Sequence, residues 1–329
     1  MAESRSRIVK CSAIKEDVNG DGKTPVWADD SFLLYDNGSF VDVETNTIDI
    51  VPLKEAYTPV NSLIGRQLQN FSGKNFLQGS GTAGTAPNYK ALLTACALSE
   101  TASAGSSVEY APQSSSLNSS NIVSELDGID YEMNGSMGSF TMSGSAAQGV
   151  EINWDLKGLY TAPTTAAAKS GFAAGANRAA TLKSAALTIG TWDKDDTVGL
   201  VFKSFSFDRG ASVTERSDAN SSDGLKGLTI EGTSPTLELV VEATTIYNPG
   251  TAAMDLYALL KAGTAQAVTF VLDSGTSGNE VQFSFPLWQM TNIAVSDGEG
   301  GTRSWTISGK PTHTTDDADD GNEFLITYI

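Results

Sequence analysis

The pattern that most constrains this chain is a short helical stretch occurring twice in a sequence otherwise made of strands and turns. In Gly81-Thr-Ala-Gly-Thr-Ala-Pro-Asn-Tyr-Lys-Ala-Leu-Leu-Thr-Ala-Cys-Ala-Leu98, Pro87 fits a first helical turn, where its missing N–H costs nothing. Leu92, Leu93, Cys96 and Ala97 then recur at helical spacing, and the Ser/Gly-rich run from Ser99 ends the pattern. This predicts a helix over 87–98. Tyr-Lys-Ala-Leu-Leu-Thr-Ala at 89–95 has a counterpart in Leu-Tyr-Ala-Leu-Leu-Lys-Ala at 256–262, inside a second helix expected over 251–262. Val108-Glu-Tyr110 is echoed by Val268-Thr-Phe270, and Trp154-Asp-Leu-Lys-Gly158 by Trp305-Thr-Ile-Ser-Gly309. Similar features in the same order twice predict a duplicated fold, shorter in its second copy between helix and final strand.

Strand composition marks the rest. Strands are expected at 7–14, 31–35, 39–43, 47–53 and 72–79, with 54–70 as a long connection. Asn19-Gly20, Asp21-Gly22 and Asp36-Asn-Gly38 are turn signals. Further strands are expected at 106–111, 121–125, 128–134, 137–143 and 150–157, with hairpin turns at Asp127-Gly128 and Asn134-Gly135. In 161–181 small residues dominate without apolar periodicity, as in a linker. Strand signals resume at 182–190, 199–207, 226–231, 236–245, 266–272, 280–286, 290–296, 302–308 and 323–328. The fold class is therefore mainly β. It comprises two tandem β-sandwich or barrel domains, each with one short flanking α-helix: 1–160, an Ala/Thr-rich linker at 161–181, and 182–329.

Twenty-one basic against 39 acidic residues give a net charge of −18. A chain this acidic is poorly suited to gripping nucleic acid, because that affinity comes from Lys and Arg displacing counterions. It suits a surface that DNA passes without sticking, and equally a chain kept soluble by its charge. The first ten residues carry no apolar core of signal-peptide length, and no run approaches the length of a membrane-spanning helix. A soluble protein, made in a cytoplasm, is expected. Cys11 and Cys96 read as small buried hydrophobes rather than a disulfide.

Chemical motifs are weak. The single His313 lies in a polar, acidic segment, which leaves triads and His-rich metal sites without a foundation. Asp17-x-Asn19-x-Asp21-Gly22 matches the start of a calcium loop, but Ala28 stands where the closing ligand belongs, so a hairpin turn explains it better. Gly79-Ser-Gly-Thr-Ala-Gly84 lacks the Gly-Lys-Ser/Thr ending of a phosphate loop. The tryptophans (27, 154, 192, 288 and 305) fit core packing better than a carbohydrate platform, and no spacing nominates a carboxylate pair for glycoside hydrolysis. No catalytic or cofactor-binding residue is expected, and the chain does not read as an enzyme.

Gly81-x-Ala-Gly84, Pro87, Leu92-Leu93-x-Ala95-Cys96, Tyr110-x-Pro112-x-Ser114, Asp127-Gly128-x-x-Tyr131 and the strand ending at Gly158 resemble the tail tube proteins of tailed bacteriophages, best over 65–160. The resemblance implies a β-sandwich or barrel with one flanking helix that assembles into rings. Rings would stack into a hollow tube through which the genome leaves the virion. It further implies synthesis in the host bacterial cytoplasm, contacts with tip or baseplate and terminator proteins, with sheath proteins where the tail is contractile, and no membrane. Single-domain members resemble half of this sequence and form six-subunit rings, so a two-copy chain is expected to build the same wall as a trimer, a pseudo-hexamer. Loops 17–25, 54–70 and 208–224 would order as ring meets ring. The rival expectation is a calcium-dependent surface or adhesion module resting on Asp17, Asn19 and Asp21.

Overall fold

Alternation decides the sheet. Along 151–158 the even-numbered residues Ile152, Trp154, Leu156 and Gly158 are buried, while Glu151, Asn153, Asp155 and Lys157 face outward. This period of two permits only a strand with one face on a core. The computed structural model describes residues 9–32, 34, 42–50, 58, 60–165, 169, 179–193, 195, 199–221, 224–243, 255–272, 278–297, 301–313 and 323–329. The first part of the chain runs β1 (Val9–Lys15), α1 (Trp27–Asp30), β2 (Ser31–Phe32), β3 (Asp42–Ile48), β4 (Leu63–Phe76), α2 (Lys90–Ala95), β5 (Leu98–Ser103), β6 (Ser107–Pro112), β7 (Ser120–Leu126), β8 (Ile129–Ser145) and β9 (Glu151–Tyr160). It continues through β10 (Thr164–Thr165), β11 (Thr188–Ile189), β12 (Phe202–Asp208), β13 (Ala211–Ser217), β14 (Leu225–Thr233) and β15 (Thr236–Glu242). The last elements are α3 (Leu256–Ala262), β16 (Gln266–Leu272), β17 (Val281–Asp297), β18 (Arg303–Pro311) and β19 (Leu325–Tyr328).

Antiparallel ladders join β3-β4-β9-β8-β12-β15-β18-β17 in that spatial order. The seam between first-half and second-half strands is the β8–β12 ladder, Thr141–Ser145 against Ser204–Asp208. A second layer covers this sheet. One side is β2-β1-β7 running onto the start of β8; the other is β5-β6-β19, joined to the start of β17, with β16 and β11 beyond. The 17-residue strands β8 and β17 therefore serve both layers. Each carries a bulge where it changes partner, between Asn134 and Met137 in β8 and between Met290 and Asn292 in β17; bulges bend a strand from one layer to another.

One hydrophobic cluster runs through both halves. Phe205, Phe207, Phe270, Phe283, Phe285 and Phe324 interlock, with centroids of 4.8 Å for Phe270–Phe283 and 4.9 Å for Phe207–Phe324. Phe140 meets Phe207 across the seam at 6.1 Å. The β13–β14 hairpin lies over first-half strands and builds a smaller cluster, in which Leu225, Leu228 and Ile230 pack with Leu68, Ala97 and Met137. The repeated Trp-x-(Leu/Ile)-x-Gly pattern also has a steric cause. A Cβ at Gly158 would lie 2.3 Å from Met133 Cγ, and one at Gly309 would lie 2.5 Å from Trp288 Cε2.

Several expectations are corrected. Asn134-Gly135 is not a hairpin turn: β8 runs through it, because Gly135 at φ 60° is absorbed in the bulge. The strands expected at 280–286 and 290–296 are likewise the single β17. The expected connection 54–70 contains the start of β4, and the expected loop 208–224 contains β13. Of 182–190, only Thr188–Ile189 is strand beyond isolated bridges. The first helix shortens to Lys90–Ala95 because Ala97 turns left-handed (φ 59°) and Leu98 enters β5. Val108–Tyr110 lies in β6, laddered to β5 and β19, whereas Val268–Phe270 lies in β16, laddered to β11 and β17. Asp36–Gly38, 51–53 and most of the 161–181 segment fall outside the described residues. The described ends of that segment are tied down: Thr164 and Thr165 ladder onto β8, and the Ala180 N–H donates to the Leu77 carbonyl.

Candidate assembly surface

The large sheet ends in two strands with an open side. β3 ladders only to β4 among the described residues, and all seven of its residues are exposed. Beyond Trp288, β17 ladders only to β18 among the described residues, and its residues from Thr291 to Asp297 are exposed apart from half-buried Ile293. Apolar side chains stand in water on both: Val43 (37% exposed) and Ile48 (53%) on β3, Val295 (52%) on β17. Leu63 and Ile64, at the start of β4, are also exposed. Open edges with apolar side chains invite a further strand. Glu44 on β3 pairs with Lys157 at 3.1 Å, and that hydrogen bond holds its carboxyl below the usual carboxylate range.

The outward face of the same sheet is lined by small polar and acidic side chains. Register places Ser143 beside Glu151 and Ser206, and Ser206 beside Glu238. These four residues line a shallow cleft of about 280 Å³ across the seam. Asp155 on β9 and Asp208 on β12 flank β8 and share this outward face, opposite Ser139 and Thr141 respectively.

The Asp17–Asp21 turn is organised by a residue that no sequence motif flagged. Glu16 is 3% exposed, and its carboxylate accepts from Gly20 N (2.9 Å), Gly22 N (3.3 Å), Gly135 N (3.0 Å) and Ser119 Oγ (2.6 Å). It fastens the turn to the β8 bulge. The expected calcium candidates spend their polar groups locally. Asp17 pairs with Lys23 at 3.0 Å, Asp21 accepts from Val18 N and Lys23 N, and the Asn19 side-chain amide donates to the Leu228 carbonyl. Among the described residues no group of three His, Cys, Asp or Glu side chains is placed to hold a metal ion.

The remaining sequence candidates have structural roles or lie apart. The glycines of 79–84 allow backbone to approach backbone: a Cβ at Gly79 would lie 2.1 Å from the Gly278 carbonyl oxygen, to which Gly81 N donates. Trp154, Trp192 and Trp288 are buried, and the Trp154 indole N–H donates to Asn75. Trp27 and Trp305 are half-buried, with the Lys169 ammonium over the Trp27 ring. His313 is exposed beyond β18. Cys11 and Cys96 are free and buried, and burial pushes the Cys11 thiol up to about 12.

Arg209, 1% exposed at the seam, was also invisible in the sequence. It stacks on Phe324 at 5.3 Å and donates to the Ala97 carbonyl; burial lowers its pKa against the influence of Glu323. A cleft of about 570 Å³ beside α2 sets Lys15, Lys23 and Lys90 among Asp17, Asp30 and Glu100, a balanced set of charges.

No helix among the described residues is long and apolar enough to cross a membrane. A comparison with curated proteins finds no match. The family model described as phage tail tube protein matches residues 16–320, nearly the whole chain. That family is one of structural, self-assembling tail components of the virion and is not a known enzyme family. With a mainly β fold, open-edged sheets and a match of this length, the chain belongs to the phage tail tube protein family.

Proposed function

We propose that this chain is a duplicated tube subunit: three copies close a ring of six similar units, and rings stack into the hollow conduit through which DNA leaves the virion. The observation that carries this reading is the order of the large sheet. The first half contributes β3-β4-β9-β8 and the second β12-β15-β18-β17. In each, the long bulged strand and its hairpin partner stand next to two strands from earlier in that half. All ladders are antiparallel, and the strand number is even, so β3 and β17 run in opposite directions. A head-to-tail ring of copies can therefore continue the sheet without a parallel junction, removing its edges.

On this reading the domains are 1–160 and 182–329, with 161–181 between them. The polar outward face carrying Glu151, Asp155, Asp208 and Glu238 would line the lumen. Carboxylates there repel phosphates, and at roughly 4 Å in water each like-charged pair costs about 1 kcal/mol, enough to prevent sticking without blocking passage. Exposed Leu63 and Ile64, at the head of the β3–β4 hairpin, would be covered when ring meets ring. Synthesis would occur in the host cytoplasm, and tip and terminator proteins would meet the tube, with a sheath around it where the tail is contractile.

Negative-stain electron microscopy over a concentration series, with solution mass measured alongside, tests this. Three-copy rings or hollow tubes are expected. Rings of six whole chains would overturn the pseudo-hexamer, and a monomer at every concentration would overturn self-assembly. Replacing exposed Leu63 and Ile64 with serine should shorten or abolish tubes; full-length tubes would refute a stacking role for that hairpin head.

A further inference from the structure

Resting on the ring reading, we infer that the interface between copies repeats the seam inside each copy, with Thr45 of β3 directly opposite Val295 of the next copy's β17. The seam provides the template because the two half-sheets can be superimposed strand by strand. Gly158 on β9 faces Gln69, and Gly309 on β18 faces Leu237. Trp154 faces Gly73 and Trp305 faces Val241, so the same alignment holds four residues further along. Leu237 thus occupies the place of Gln69. On the strands outside them, Val43 faces Gln69 and Phe207 faces Leu237, so Phe207 occupies the place of Val43. On the other flank, Phe140 faces Trp154 and Val295 faces Trp305, so Val295 occupies the place of Phe140.

The seam register now transfers. Inside the chain Phe207 faces Met142 and Asp208 faces Thr141. Beyond the ladder, Arg209 N donates to the Phe140 carbonyl at 3.0 Å. Carried to the open edges, Val43 faces the next copy's Asp297, Glu44 faces Ser296, and Thr45 N donates to the Val295 carbonyl. Thr47 then faces Ile293. The exposed residues of β3 and of the end of β17, with bare Val43, Ile48 and Val295, are the surfaces this pairing covers.

The register is tested by disulfide trapping, because hydrogen-bonded antiparallel pairs have a Cα separation near 5.5 Å, within bridging range, while diagonal pairs fall at about 7–8 Å. Native Cys11 and Cys96 are buried and give little background. The double variant Thr45→Cys/Val295→Cys, oxidised after assembly, should give covalent trimers on a non-reducing gel. Mixing the two single variants should give dimers and nothing larger. The off-register pair Thr47→Cys/Val295→Cys should cross-link about tenfold more slowly. Thr47→Cys/Ile293→Cys is a second matched pair should the first fail to assemble. Tubes by microscopy with no cross-link in either matched pair, or with a faster off-register pair, would overturn the register and leave the ring reading intact. Absence of any ring from the unmodified chain would overturn the ring reading itself.

Discussion

Replacing Glu16 tests the least visible part of the fold. Its carboxylate gathers four donors, of which the Gly20 and Gly22 amides sit in a half-buried turn, while Gly135 N and Ser119 Oγ are buried. In Glu16→Ala, water can reach the turn amides, but the two buried donors lose their acceptor. Each buried orphan costs about 1–3 kcal/mol, which sums to about 2–6 kcal/mol of lost stability. Glu16→Gln keeps one acceptor oxygen and a similar shape but loses the charge, and about half of that loss is expected. Neighbouring Asp17 is exposed and, among the described residues, paired only with Lys23, so Asp17→Ala should stay within about 0.5 kcal/mol of the parent. Urea unfolding of the free subunit, followed by tryptophan fluorescence, provides the comparison. Gln falling between Ala and the parent, with Asp17→Ala unchanged, is the expected order. A Glu16→Ala midpoint equal to the parent's would refute the fastening role, and an Asp17→Ala loss as large as Glu16→Ala's would move that role to the turn itself.

Further outcomes follow from the packing. Gly158→Ala would press a methyl into Met133 and cost about 1–3 kcal/mol, read as a lower unfolding midpoint; an unchanged midpoint would mean the β8–β9 hairpin yields freely. Burial pushes the Cys11 thiol up to about 12 and raises Cys96 as well, so a thiol reagent at neutral pH should label neither until urea unfolds the chain. Burial raises the Asp30 pKa above its ordinary value, so the native state holds its proton to higher pH than the unfolded chain. Its contribution is fully present below the unfolded pKa and lost as pH rises through the native one. Asp30→Asn, which keeps an acceptor for Val26 N, should therefore gain on the parent at pH 7 relative to pH 3; a larger gain at pH 3 would reverse the sign.

How much of this was legible depended on range. The alternation in 150–157 reported β9 because burial on one face is a local pattern, and the same holds for 266–272 and β16. The Asn134-Gly135 pair misled because its left-handed glycine is real, yet its N–H is held by Glu16, more than a hundred residues earlier. Nothing local distinguishes a bulge so anchored from a turn. β13 reads Ala-Ser-Val-Thr-Glu-Arg-Ser with no buried residue, since it packs only a thin layer over first-half strands; hydrophobic periodicity cannot report a strand without a full core face. The assembly surface was legible in kind through the family resemblance. Its edges were not, because which strand is left open depends on the pairing of every other strand.

An open sheet edge also has to be harmless in the free subunit. β3 presents Asp42 and Glu44, β17 ends in Asp297, and the whole chain carries −18. Charges on an edge deter stray pairing. In the proposed register, however, Asp297 comes opposite Val43, whose neighbours Asp42 and Glu44 point to the other face of the sheet. The like charges are brought close across the edge without touching, and at low salt they oppose the intended contact at long range, with Lys157 beside Glu44 offsetting part of this. Such repulsion is between solvent-exposed groups, and it shortens its reach from about 30 Å at 0.01 M salt to about 8 Å at 0.15 M. The gains that favour closure, a backbone ladder and burial of Val43, Ile48 and Val295, do not weaken with added salt. Assembly followed by light scattering should accordingly accelerate as sodium chloride rises through that range, and Glu44→Gln should flatten the dependence. Assembly that slows with salt would mean that opposite charges meet at the interface, and would refute the placement of these acidic edges against one another.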